Sequence, residues 1–112
     1  MRPIAVFAGI AFLAVSASAA FGAGDAQAGK SKAAQVCVAC HGADGNKPSA
    51  PDQPVLAGQY KDYLMQALTD YKVGRRQNPI MKGFADSLSK KDIEDVAEWF
   101  STQKTTRLHD QR

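Results

Sequence analysis

Five consecutive residues, Cys37-Val38-Ala39-Cys40-His41, join two thiols and an imidazole at a spacing that narrows the available chemistry. Thiols three apart on one helical turn reach two neighbouring vinyl groups of a haem, and the pair of thioether bonds then fixes the ring. The adjoining His41 is placed to ligate the iron. A neutral imidazole binds through Nε2, leaving Nδ1–H to an acceptor that sets the ring's orientation. Other chemistries use the same residue types. A disulfide between Cys37 and Cys40 closes a very small loop, stabilises little and gives His41 no role. Thiol exchange of the thioredoxin kind expects a βαβ setting, which is missing. Zinc needs more ligands, and the other histidine, His109, lies in the C-terminal tail.

A haem iron held by one histidine takes its sixth ligand from across the ring. Methionine there gives an electron carrier of raised potential, whereas an open position gives gas binding or activation. Met65 lies beside Leu64 and Leu68 on or near the apolar face of a helix, where core packing accounts for it. Met81 lies in the Pro/Gly-containing stretch Arg75 to Phe84, which reads as a loop. A thioether reaching in from a loop approaches iron without a helix having to rotate. Met81 is therefore the favoured ligand, with core packing as its plain alternative.

The elements that must position these residues follow from pattern. Arg2 and the apolar run Ile4 to Val15 resemble a signal peptide, with small residues at Ala17-Ser18-Ala19 placing cleavage near 19/20. An uncleaved membrane anchor is the rival reading, but the apolar run is short for a spanning helix. The expected organisation is a signal peptide over 1–19 and one domain over 20–112. Cleavage removes Arg2 as the only charge, taking the formal net charge from +3 to +2. A near-balanced chain with no basic stripe gives no reason to expect nucleic acid. So small a domain has a modest core and tends to rely on a cofactor or cross-link.

Asp25 is a plausible N-cap for an Ala-rich helix running to Val36, and Gly29 inside it hints at a second backbone passing close. Residues 42–58 are rich in Gly, Pro, Asn and Asp, with prolines at 48, 51 and 54, and read as a long loop whose order a wrapped cofactor would explain. Tyr60, Tyr63, Leu64, Ala67, Leu68 and Tyr71 form one helical face, stopped by Gly74. In the last helix Ser89 and Asp92 make an imperfect capping box and Leu88 with Ile93 a staple. Ile93, Val96, Ala97 and Phe100 form its buried stripe, flanked by Trp99, and Arg107 to Arg112 read as a frayed tail. No strand pattern occurs, so the fold class is all-α.

With these motifs in order, the stretch from about Gly29 to Gln103 resembles the class I c-type cytochromes of the small bacterial monohaem kind. The resemblance implies three to four helices and long loops wrapped around one covalently bound haem c. It also implies that Gly29 lets the first and last helices cross closely, with Trp99 against the first. In Pro54-Val55-Leu56 it makes Pro54 the residue whose carbonyl accepts the His41 Nδ1–H, and in Asn78-Pro79-Ile80-Met81 it supports Met81 as axial ligand. Ala33 departs from the larger side chain of many relatives, which implies a looser crossing or one filled by Trp99. No motif fixes the contacts of the haem propionates; Tyr71, Arg75, Arg76 and Asn78 are candidates, the two arginines being equally readable as solvated loop charges.

The function so implied is one-electron carriage in the periplasm with no substrate bond made or broken. The partners are membrane or periplasmic redox proteins met through small transient interfaces, and the carrier is a monomer without a membrane span once the leader is removed. The haem edge would form the docking patch, with Lys47 and Lys82 flanking it. A dedicated subunit of one redox enzyme, or a haem with a labile sixth ligand that binds gases, are the competing functions.

Overall fold

The computed structural model describes residues 2–6, 9 and 24–105. The expected leader, its cleavage near 19/20 and the tail from Arg107 fall largely or wholly outside the described residues. Described residues form five helical segments and no strand: α1 (Ala26–Val36), α2 (Val38–His41), α3 (Lys61–Val73), α4 (Pro79–Asp86) and α5 (Lys90–Ser101). The all-α expectation holds, with α2 a single turn. No helix among the described residues is long and apolar enough to cross a membrane.

Side-chain caps set three of the starts. Asp25 accepts from the N–H groups of Gln27 and Ala28 and opens α1. Asn78 does the same for Ile80 and Met81 and opens α4. At α5 the reciprocal box is complete, because Ser89 Oγ accepts from Asp92 N and Asp92 Oδ2 from Ser89 N, both at 3.0 Å. Each such cap satisfies backbone donors that the helix leaves unpaired, worth about 1 kcal/mol. Leu88 and Ile93, the expected staple, are both buried. Gly74 ends α3 in the left-handed conformation (φ 83°) that an L side chain avoids.

The core is Ala33 from α1, Leu64 from α3, and Val96, Ala97 and Phe100 from α5, with Cys37, Leu56, Met65, Leu68 and Trp99 packed around it. The crossing of α1 on α5 is tight. A Cβ at Gly29 would lie 1.9 Å from the Asp95 carbonyl oxygen and 3.0 Å from Trp99 Cβ, so only glycine fits. Gly24 repeats the feature one turn earlier against the Glu94 carbonyl, at 2.4 Å. Ala33 is fully buried at this crossing, so its small side chain goes with close packing and not with a gap.

Two expectations need correction. Arg75 to Phe84 is not a loop throughout: α4 begins at Pro79. Proline at the first helical position loses no intrahelical bond, and Asn78 supplies the cap, so the pair that signals a turn here starts a helix. Met81 thus projects from the first turn of a helix, and the argument that favoured it for lying in a loop does not hold. The face from Tyr60 to Tyr71 is also less buried than its periodicity suggests. Tyr60 is the N-cap residue of α3 and 61% exposed, and Tyr63 is 51% exposed. Leu64 carries the burial at that end.

Candidate functional site

Cys37 closes α1, its N–H bonded to the Ala33 carbonyl at 2.8 Å, and opens the α2 turn. His41 N donates to the Cys37 carbonyl at 3.1 Å and Gly42 N to that of Val38 at 2.9 Å. One tight turn therefore carries both thiols and the imidazole. The long loop is tied to it directly, by Lys47 N to the His41 carbonyl (3.3 Å) and Ser49 N to the Cys40 carbonyl (3.0 Å). Further along, Leu56 N donates to the Gly45 carbonyl at 2.9 Å and Gly58 N to that of Phe100 at 2.8 Å. Gln53 Oε1 gathers Ser49 N, Ser49 Oγ and Ala50 N. The chain's own hydrogen bonds thus order this loop and hold Pro54 over the motif.

His41 is 5% exposed, and its Nδ1 lies 2.9 Å from the Pro54 carbonyl oxygen. A carbonyl only accepts, so Nδ1 carries the proton and Nε2 keeps the lone pair for a metal. The ring lines a cleft whose walls come from every part of the domain. The motif turn supplies Cys37 and Cys40, the loop Pro54 and Val55, α3 Tyr63, Ala67, Leu68 and Tyr71, α4 Ile80, Met81 and Phe84, and α5 Val96, Ala97 and Phe100. Its lining is mostly apolar. Ile80 is nonetheless 69% exposed, and Phe84 is exposed too. These residues fit a flat apolar macrocycle carrying a metal: one face of the constellation offers a nitrogen lone pair, and a thioether stands on another wall.

Cys37 and Cys40 are not joined to each other. Burial pushes the Cys37 thiol up to about 11, the opposite of the lowered value a thiol-exchange cysteine needs. Among the described residues no group of three or more His, Cys, Asp or Glu is placed to hold a metal ion.

The other candidates divide. Tyr71, Arg76 and Asn78 line the cleft with Met81, whereas Arg75 does not. The Arg75 guanidinium turns to Asp70 at 2.8 Å, and that hydrogen bond leads the causes, with Gln66, that hold the Asp70 carboxyl below its ordinary value. Arg76 Nη1 donates to Tyr63 Oη at 3.3 Å, and its guanidinium sits 5.0 Å from the centre of the Tyr71 ring. The Tyr63 bond is the first cause that raises the Arg76 pKa above its usual value. Asn78 Oδ1 is committed to capping α4. Met65 packs on the core. Lys82 and Lys47 are both exposed, and Lys82 Nζ is also engaged by the Lys72 carbonyl (3.0 Å) and Asp86 (3.1 Å).

Two contributors escaped sequence reasoning. Tyr63 shares a helical face with Ala67 and Tyr71, a spacing that signals burial without saying against what. Asp95 lies beside the apolar stripe of α5 and is 5% exposed. Its Oδ1 accepts from Asp25 N at 2.8 Å and its Oδ2 from Lys91 Nζ at 2.6 Å. Burial alone would raise its pKa, but these two donors outweigh that and hold it below the usual carboxylate value.

Comparison with known proteins agrees with this arrangement. The family model described as cytochrome C oxidase, cbb3-type, subunit III matches residues 24–100. The fold is that of a class I c-type cytochrome, and the chain belongs to that family, whose cofactor is covalently bound haem c. Among its relatives, cytochrome c4 of Pseudomonas aeruginosa is 52% identical over 85 residues, covering 76% of this chain and 41% of that protein. Cytochrome c-554(548) of Halomonas halodenitrificans is 42% identical over 85 residues, covering 73% of this chain and all of the relative. The crystal structure of reduced recombinant cytochrome c4 from Pseudomonas stutzeri superposes with a TM-score of 0.67 at 48% identity, over 73% of this chain and 47% of that one. The chain thus spans less than half the length of these cytochrome c4 relatives.

Proposed function

We propose that the chain is a periplasmic one-electron carrier whose haem is attached at Cys37 and Cys40 and ligated by His41 and Met81. The haem supplies reversible Fe(III)/Fe(II) exchange. The carrying observation is that one cleft brings together both cysteines, Met81 and a buried His41 whose Nδ1 faces the Pro54 carbonyl. The carbonyl fixes the imidazole's tautomer and orientation and raises its basicity as a ligand. Leu64, Leu68, Val96 and Phe100 exclude water and keep the local dielectric low, which favours the less charged oxidation state. Arg76, steadied by Tyr63 and the Tyr71 ring at the rim, is placed for an anionic propionate, and Arg75 is not.

With the haem held in this cleft, the carrier would need only transient contacts with membrane or periplasmic redox proteins and would make or break no bond in a substrate. Replacing Met81 tests the ligand set. Met81→Ala should let the reduced protein bind carbon monoxide and should lower the midpoint potential. A variant that still excludes carbon monoxide at an unchanged potential would assign the sixth ligand elsewhere.

A further inference from the structure

Asn78 lines the cleft, yet its side-chain oxygen is spent on the backbone: Oδ1 accepts from the N–H of Ile80 and from the N–H of Met81 itself, each at 3.1 Å. We infer that Asn78 is the positioning residue for the Met81 thioether, holding the first turn of α4 in the one arrangement from which the sulfur serves as iron ligand. The inference rests on Met81 being that ligand.

Besides this cap, the side-chain ties at this end of α4 come from Lys82 Nζ, to the Lys72 carbonyl at 3.0 Å and to Asp86 at 3.1 Å, and neither engages the N–H of Met81. α4 has eight residues, well below the length at which a helix persists unaided, and Gly83 within it lowers its propensity further. Pro79 at its first position has no N–H and adds no hydrogen bond. Ile80 is mostly exposed, and Ala85 is the helix's only buried residue. What closes the turn is the Asn78 cap and the bond from Lys82 N to the Asn78 carbonyl at 2.8 Å, so one residue provides both. The ligand's own N–H is one of the two capped donors. Losing the cap loosens Met81 before it loosens any other part of the cleft.

The cap of α1 supplies a matched control. Asp25 accepts from Gln27 N at 2.9 Å and Ala28 N at 3.0 Å, the same two helical positions, on a helix that carries no iron ligand at that end. The test measures carbon monoxide uptake by the reduced, haem-matured protein well below its unfolding temperature. It also follows the sulfur-to-iron charge-transfer absorption of the oxidised protein. Removing an N-cap weakens a turn by an amount that corresponds to about a fivefold change in population. Asn78→Ala should therefore raise the population with Met81 displaced about fivefold, read as a weaker absorption and as carbon monoxide uptake over an exposure time at which wild type shows none. Asn78→Ser, which restores an acceptor, should return both to within about twofold. Asp25→Ala should lower the unfolding temperature and leave both readouts unchanged. Equal uptake by Asn78→Ala and wild type, or no rescue by serine, would overturn the inference while the ligand assignment stands. If Met81→Ala excludes carbon monoxide as wild type does, the ligand assignment falls and takes this inference with it.

Discussion

Where α1 crosses α5, protein atoms meet directly. Gly29 and Gly24 press on the carbonyls of Asp95 and Glu94, Ala33 and Ala97 are fully buried, and the Asp95 carboxylate reaches back to cap the entry of α1. In the cleft between α3, α4 and the motif turn, larger side chains such as Tyr63, Ile80 and Phe84 are left open to solvent. The first region is small residues at contact distance. The second is large apolar residues that line a cleft fitting a haem. A haem c held in the second region would stabilise the domain there, whereas the first holds together through the chain's own contacts, and this contrast says which substitutions each region tolerates.

The largest effect is expected at the crossing. Gly29→Ala places a Cβ into the Asp95 backbone, and backbone cannot rotate aside, so the helices must part. Overpacking of this kind costs about 1–3 kcal/mol or more, read as a lower denaturation midpoint at an unchanged denaturant slope. An alanine tolerated at no cost would mean that the crossing is looser than described.

The next effect concerns the carboxylate beneath the crossing. Asp95→Asn keeps an acceptor for Asp25 N–H but loses the charge that holds Lys91, and should cost about 1 kcal/mol at neutral pH. Because the folded Asp95 pKa lies below its unfolded value, its ionised contribution is fully present above roughly pH 4 and is lost as pH falls through the folded value. The stability difference between wild type and Asp95→Asn should therefore be flat above about pH 5 and shrink in acid. A difference that grows in acid would reverse the sign assigned to the pair.

The smallest effect is of opposite sign and belongs to the cleft side. A Cβ at Gly83 would meet nothing within 4 Å. Gly83→Ala should stabilise the protein by about 0.5–1 kcal/mol through helix propensity. Destabilisation there would show that some group besides this chain packs against α4 at that point.

The same contrast explains what could be read from residues alone. The caps at Asp25 and Ser89, the stripe of α5 and the close approach at Gly29 are local or strictly periodic features, so they were legible. The motif at Cys37, Cys40 and His41 was legible because its spacing encodes its chemistry. The start of α4 was misread because Pro79 and Gly83 punctuate loops and also begin and interrupt helices, and the arbiter, Asn78, reads as a turn residue in either case. Tyr63 and Tyr71 share a helical face that periodicity makes legible, but periodicity does not say whether that face meets protein, solvent or a cofactor. Asp95 gave no signal of burial, since only Lys91 of its two donors is local and the other is a backbone N–H seventy residues away in sequence.

The most direct test of the account is the visible spectrum of the reduced, haem-matured protein recorded with and without carbon monoxide. A low-spin c-type spectrum that carbon monoxide leaves unmoved is the predicted result, with both axial positions filled and the site suited to electron carriage. A spectrum that shifts on adding the gas would show an accessible sixth position and contradict the ligation by His41 and Met81 on which the proposed function stands.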